Sequence, residues 1–294
     1  MKVLIADDDS MSLAFLRTAL QEWGYEVTTA SDGNNAYELL QQRDAPMLAI
    51  LDWMMPGMAG IDVCQHLRAG NRDHYTYLIM LTARSEVEFM VEAMNAGADD
   101  FISKPFNHEE LQVRIRAGKR IIELQQELRL KATYDVLTGI YNRGAIIGIL
   151  EKEIARHQRD NKPLAVIFAD LDHFKKINDT FGHLAGDAVL CEVTQRIAHA
   201  LRPYDSLGRY GGEELLLTLP ACTADKATEV AERIRSKVDA TPIHTGFGPI
   251  DSSVSIGMTM LLPGERHTVQ RLLQRAYEAL YRAKNNGRNR VEVG

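Results

Sequence analysis

The stretch Arg209-Tyr210-Gly211-Gly212-Glu213-Glu214-Leu215 decides how the second half of this chain is read. After it comes Leu216-Leu217-Thr218-Leu219-Pro220, an apolar run closed by a breaker, and just before it lies Asp205-Ser206-Leu207-Gly208, a run with strand character. Two such runs joined by Gly211-Gly212 predict a β-hairpin, because glycine supplies the positive-φ positions that a two-residue turn wants. The turn would hold bare backbone beside two carboxylates. Bare backbone lets a bulky polar ligand lie against the main chain, and adjacent glutamates offer hard oxygen ligands to a divalent cation.

Outward from that stretch, 294 residues are enough for two domains of ordinary size. The composition, 45% hydrophobic and 25% charged, is that of a soluble globular protein. A formal net charge of −6 argues against a dedicated nucleic-acid binder, though a nucleotide needs only a local basic spot. Cys64, Cys191 and Cys222 are odd in number and far apart, with neither zinc nor disulfide spacing, and fit a reducing compartment. No signal-peptide core precedes Asp7-Asp8-Asp9, and no apolar run approaches the ~20 residues of a membrane span. The expectation is a cytoplasmic protein with no membrane partner.

In the first half, short apolar runs alternate with helical periodicity. Strands are predicted over 2–6, 26–30, 47–51, 78–81 and 100–103, with helices between them, the first carrying Met11, Phe15, Leu16, Ala19, Leu20 and Trp23 at helical spacing. Ser85-x-x-Glu88 reads as a capping box for a later helix. This alternation predicts a parallel sheet covered on both faces, with functional groups at the carboxyl ends of its strands. The polar residues that stop the runs sit at those ends: Asp7 and Asp8, Asp52, Thr82 and Lys104. Clustered carboxylates there would bind Mg²⁺, the lysine would pair with an incoming phosphoryl group, and the hydroxyl could hydrogen-bond it.

Those positions resemble the receiver domain of two-component response regulators over about residues 1–125. The resemblance implies a doubly wound, flavodoxin-like fold with Asp52 as phosphoacceptor and a sensor histidine kinase as phosphodonor. Asp7, Asp8 and the Met54 carbonyl would hold Mg²⁺ beside Asp52. Thr82, Phe101 and Lys104 would be the switch residues. Lys104-Pro105-Phe106 fits as well, its Lys–Pro bond being usually cis in the family.

From Asn107, whose spacing to Glu110 makes another capping box, a helix is predicted to run to about Lys131. Leu111, Ile115, Gly118, Ile122 and Gln125 form one seam, and Ile121, Leu124 and Leu128 a second beside it. A helix of that length outruns what a receiver sheet needs. It is read as a signalling helix that pairs with its copy in a homodimer.

In the second half, Leu164–Ala169 reads as a strand ending at Asp170-Leu171-Asp172, followed by a helix start at Phe174-Lys175, where free backbone N–H groups suit phosphates. Asp170 is placed to be a metal ligand and Asp172 to cap the helix. Phe181-Gly182-His183-x-x-Gly186-Asp187 reads as a turn into a helix over 188–201. Asp187 can accept from both N1–H and the exocyclic amine of guanine, and Asn178 offers a donor and an acceptor to the same base. Lys284 and Arg288, four apart, are expected on one helix face.

The hairpin stretch resembles the signature of the diguanylate cyclases, the GGDEF family, in its Gly-Gly-Glu-Glu variant, with Leu215 where the family usually has phenylalanine. Asp135-x-Leu137-Thr138-Gly139-x-x-Asn142-Arg143 resembles the family's opening motif, which caps and positions the first helix. The resemblance covers residues 131–294 and implies an α+β palm-like domain with antiparallel strands, condensing two GTP into cyclic di-GMP. Mg²⁺ (or Mn²⁺) would be held by Asp170, the Leu171 carbonyl and Glu213, with Glu214 a further ligand. Glu213 or Glu214 would assist deprotonation. Gly211, Gly212, Phe174, Lys175, Asn178, Asp187, Lys284 and Arg288 would bind the nucleotide. Arg202-Pro203-Tyr204-Asp205, with Arg233, matches the family's RxxD inhibitory site for the product. The alternative is a catalytically silent domain that senses cyclic di-GMP.

Overall fold

The computed structural model describes residues 1–70, 75–83, 87–105 and 107–294. Contacts within the chain divide it into two units, Met1–Leu128 and Arg129–Gly294.

The first unit has five strands, β1 (Lys2–Ala6), β2 (Glu26–Ala30), β3 (Leu48–Asp52), β4 (Tyr77–Thr82) and β5 (Asp100–Ser103). Every pairing is parallel and the order is β2-β1-β3-β4-β5. The central strands are buried on both faces, which is why their sequences are continuous apolar runs rather than alternating ones. The order reverses between β1 and β3, so a crevice opens at the carboxyl ends of those strands. Helices α1 (Ser10–Glu22), α2 (Gly33–Gln41), α3 (Gly60–Ala69) and α4 (Val87–Asn95) complete the layers. Asp9 caps α1 by accepting from the Met11 and Ser12 amides, which leaves Asp7 and Asp8 to the crevice. The expected Ser85 capping box lies outside the described residues.

Helix α5 runs from His108 to Thr133, 26 residues or ~39 Å. The Asn107 carboxamide accepts from the Glu110 amide, while Glu110 turns to Arg114 instead of closing the box. Leu111, Ile115, Gly118 and Ile122 are buried against the unit's own sheet, beside Leu48 and Tyr77. The first seam therefore forms intramolecular core. Ile121, Leu124 and Leu128 are exposed.

The second unit has a five-stranded sheet of order β12-β11-β6-β8-β7. Its strands are β6 (Leu164–Leu171), β7 (Ser206–Gly211), β8 (Glu214–Pro220), β11 (Val254–Leu261) and β12 (Val291–Val293). The sheet is mixed, since β12 joins β11 in parallel and the other pairings are antiparallel. A separate two-stranded ribbon, β9 (Ile243–Thr245) with β10 (Gly248–Ile250), turns at Gly246-Phe247. Strand β6 is central. Its Ala165, Ile167, Ala169 and Leu171 pack under α8 (His183–Ala198) and α9 (Ala224–Asp239). Its Leu164, Val166 and Phe168 pack under α6 (Arg143–Asp160) and α10 (Val269–Asn285). Gly257 lets α10 lie almost on β11, because a Cβ there would come within 2.2 Å of the Ala276 carbonyl and the Leu280 amide. Helix α7 (Phe174–Phe181) meets α8 at Gly182.

Candidate active site

In the first unit, Asp7, Asp8 and Asp52 bring carboxylate oxygens within 4.8 Å of one another at the crevice. Among the described residues this is the one such group of three. Lys104 bridges two of them, with Nζ 2.7 Å from Asp7 Oδ2 and 2.9 Å from Asp52 Oδ1. Burial, aided by the charges of Asp7 and Asp8, raises the Asp52 carboxyl even though Lys104 opposes it. Burial alone would lower Lys104, but its bonds to Asp7 and Asp52 outweigh that and hold its proton more tightly. Asp7 also accepts from the Ser12 hydroxyl and the Asp9 amide, so its orientation is fixed. Three anionic oxygens already neutralised in part by an ammonium make a fitting cradle for a hard divalent cation. Met54 lies in the turn after β3, Thr82 is buried at the end of β4, and the Lys104 amide donates to the Thr82 carbonyl. Phe101 is half-buried with the Arg114 guanidinium 5.6 Å from its ring centre. The Lys104–Pro105 bond is cis; Phe106 lies outside the described residues.

In the second unit, Asp170 and Glu214 are direct cross-strand partners at the ends of β6 and β8. Both share the sheet face of Phe168 and Leu216, where the α6/α10 cover ends. Asp170 is buried, and Lys284 of α10 places Nζ 2.8 Å from its Oδ2. Burial pushes Asp170 up to about 6; the nearby charges of Glu213 and Glu214 add to this and Lys284 opposes it.

The hairpin turn differs from the expected one by a residue. Pairing runs Arg209↔Leu215 and then Gly211↔Glu214, so Tyr210 is an extra residue, a bulge, and the turn residues are Gly212 and Glu213. Gly212 takes φ +53° while Gly211 does not need a positive φ, the pattern of a turn with glycine at its first central position. The bulge is clamped. Tyr210 lies edge-on to Phe168, and the Arg143 guanidinium sits 4.4 Å from its ring centre.

A brace that the sequence did not reveal holds the same turn. Arg209 donates to the Gly212 carbonyl at 2.8 Å and pairs with Asp135 at 3.1 Å. Burial would raise Asp135, but the Thr138 hydroxyl and amide, together with Arg209, outweigh it and keep the carboxylate below its ordinary range. Asn142 of the same motif caps α6 through the Ala145 amide, as expected. The motif thus serves both helix and hairpin.

Asn178 lies on α7 against Gly186 of α8, where a Cβ would stand 1.9 Å from the Asn178 Oδ1 and 3.4 Å from Phe174. Helix α8 already begins at His183, so Asp187 projects from its second turn rather than from a turn before it, and is exposed. Lys175 is exposed beside Phe174. Asp172 does not cap α7. The cap position is His173, at φ 58°, and the buried Asp172 accepts from the Ser253 and Ser255 hydroxyls and the Asn289 amide. Arg288 does not share a helix face with Lys284. Helix α10 stops at Asn285, Gly287 swings to φ +115°, and the Arg288 amide returns to the Ala283 carbonyl in a Schellman-type cap.

Arg202 and Asp205 close a tight turn on each other, the Arg202 amide donating to Asp205 Oδ2 at 2.9 Å. Burial raises Asp205, opposed by Arg202 and by the charge of Arg233, which donates to the Ala200 carbonyl nearby. Tyr204 places its hydroxyl 3.2 Å from Arg202.

The diguanylate cyclase GGDEF-domain family model matches residues 132–290, more than half of the chain. This chain belongs to the GGDEF family. The response regulator receiver domain model matches residues 3–116. The response regulator PleD of Caulobacter vibrioides is 32% identical over 99% of this chain and 65% of its own length. Diguanylate cyclase DosC of Escherichia coli is 41% identical over 62% of this chain and 40% of its own. The chain therefore spans less than two thirds of either relative. The crystal structure of the coiled coil and GGDEF domain of DgcB from Caulobacter crescentus, in complex with c-di-GMP, superposes with a TM-score of 0.58 at 31% identity, covering 63% of this chain and 98% of that one. Among the described residues, no helix is long and apolar enough to cross a membrane.

Proposed function

We propose that this chain is a diguanylate cyclase switched by phosphorylation of Asp52. The observation that carries the reading is the pairing of Asp170 with Glu214 across β6 and β8, next to the Gly212-Glu213 turn and under Lys284. Asp170, Glu213, Glu214 and the Leu171 carbonyl are hard oxygen donors that suit Mg²⁺ or Mn²⁺. Such an ion would neutralise phosphate charge and polarise the attacking hydroxyl.

Each protomer would present one GTP. Asp187 and Asn178 would read guanine, the N–H groups at Phe174 and Lys175 with Lys284 and Arg288 would hold phosphates, and Gly211-Gly212 would let the ribose approach the main chain. The 3′-oxygen of each GTP attacks the α-phosphorus of the other. A new P–O ester forms, the bond to the β-phosphate bridge breaks, pyrophosphate leaves, and Glu213 or Glu214 takes the hydroxyl proton. Two such steps give cyclic di-GMP and two pyrophosphates. This requires two copies face to face, and the exposed Ile121, Leu124 and Leu128 of α5 supply an apolar stripe for that pairing. In the receiver, Asp7, Asp8, Asp52 and the Met54 carbonyl would hold Mg²⁺. Lys104 and Thr82 would engage the phosphoryl group donated by a histidine kinase, with Phe101 following the switch.

The test is incubation of the chain with GTP or ATP and Mg²⁺, with the product identified by chromatography and mass. Cyclic di-GMP from GTP alone is expected; a product from ATP would overturn the reading of Asn178 and Asp187. Gly186→Ala should push the Asn178 amide aside and raise KM for GTP by roughly ten-fold, the cost of about one good hydrogen bond to a buried site. An unchanged KM would remove Asn178 from the base pocket. Arg202→Ala should relieve inhibition by added cyclic di-GMP, shifting its half-inhibiting concentration at least about ten-fold, since a forked guanidinium contact is lost. Unchanged inhibition in that titration would place the regulatory site elsewhere.

A further inference from the structure

Helix α10 carries a second residue over the acidic pair. Tyr277 stands seven residues before Lys284, two helical turns away and on the same helix face. Its ring packs edge-on against Phe168, with centroids 5.8 Å apart at 89°. Phe168 is two residues before Asp170 on β6 and pairs with Leu216, two residues after Glu214 on β8. Tyr277 and the Asp170–Glu214 pair therefore share one face of the sheet, and the half-exposed ring is fixed by Phe168.

We propose that Tyr277 is a positioning residue for Glu214, its hydroxyl donating to that carboxylate and holding it toward Asp170. The inference rests on the reading that these two acids hold the divalent cation. Helix α10 then anchors each member of the cross-strand pair, Lys284 on Asp170 and Tyr277 on Glu214. A hydroxyl that donates to one Glu214 oxygen leaves that carboxylate's other lone pairs to the metal. Partners in the shell around a metal ligand fix its rotamer and raise its fitness as a ligand.

The test uses Tyr277→Phe in the full chain, which keeps the ring on Phe168 and removes only the donor. Binding of Mn²⁺ is followed by electron paramagnetic resonance with a non-reacting GTP analogue present, with thermal melting as the check on folding. Expected is an approximately ten-fold weaker Mn²⁺ affinity at an unchanged melting temperature. Tyr281→Phe, four residues on and more exposed, should leave the affinity unchanged. In a Glu214→Gln background, Tyr277→Phe should cost nothing further, because the two act as one unit. If Glu214→Gln weakens Mn²⁺ binding and Tyr277→Phe does not, the positioning role is wrong and the metal site stands. If Glu214→Gln itself leaves Mn²⁺ binding intact, the underlying reading of the site fails.

Discussion

Asp170→Asn is expected to lower cyclic di-GMP formation by about a thousand-fold or more and, at the same time, to stabilise the metal-free protein. The activity loss would follow because, on the proposed function, the amide removes an anionic metal ligand at the centre of the site. The stability gain follows from burial. With its carboxyl pushed up to about 6, Asp170 in the folded state holds a proton that the unfolded chain, near 3.8, has already lost. Stability from this group is therefore highest below pH 3.8 and falls as pH rises toward 6. Above that the ionised carboxylate is a standing cost of roughly 3 kcal/mol. Asparagine removes the charge, and the half-exposed Lys284 can turn to solvent. At pH 7.5 in chelator the variant should melt a few degrees above the parent, while making no detectable product. The parent's activity at limiting Mg²⁺ should fall as pH drops through about 6, since proton and the proposed metal would compete for the same oxygen. A variant that melts lower, or that keeps its activity, would contradict the assignment of Asp170 as a desolvated metal ligand.

Lys104→Ala is expected to destabilise the receiver unit markedly, and the loss should depend on Mg²⁺. Its ammonium bridges Asp7, which is fully buried, and Asp52, which is nearly so. Removing it leaves three carboxylates within 4.8 Å with no counter-charge. Breaking a buried pair from one side costs about 3–5 kcal/mol; the partial exposure of Lys104 reduces this to about 2–3 kcal/mol. That corresponds to roughly 5–10 °C in the melting transition of a domain this size. Millimolar Mg²⁺ should restore most of it, because an ion held in the crevice would supply the missing positive charge and would bind only the folded state. Scanning calorimetry with and without Mg²⁺ reads both effects. A small loss indifferent to Mg²⁺ would mean that the three acids do not form a cation site.

Much of the receiver crevice was legible in the sequence because it depends on local punctuation. Apolar runs stop at Asp7, Asp52, Thr82 and Lys104, and a parallel sheet delivers strand ends to one edge whatever the loops do. The acids of the second site were legible for the same reason, Asp170 ending a run and Glu213-Glu214 opening one. The details that failed were set by geometry a pattern does not carry. The bulge at Tyr210 absorbed a residue into β7 and moved the turn from Gly211-Gly212 to Gly212-Glu213. Helix α10 ended at Asn285, three residues before Arg288, and Gly287 at φ +115° turned the chain away, which removed the expected four-residue spacing on a helix face. Asp172 looked like a cap because helix starts favour aspartate, but its partners lie 81, 83 and 117 residues away. The Asp135–Arg209 brace spans 74 residues and has no local signature. Half of the seam on α5 reads the same whether it faces a second helix or the helix's own sheet; here Leu111, Ile115 and Ile122 face the sheet.

The most direct measurement is cyclic di-GMP formed from GTP and Mg²⁺ by the purified chain, with and without beryllofluoride as the acyl-phosphate mimic at Asp52. A product that rises several-fold with the mimic and disappears in Glu213→Ala is expected. No product in either state, with cyclic di-GMP still bound, would contradict it and leave a sensor working through Arg202 and Asp205.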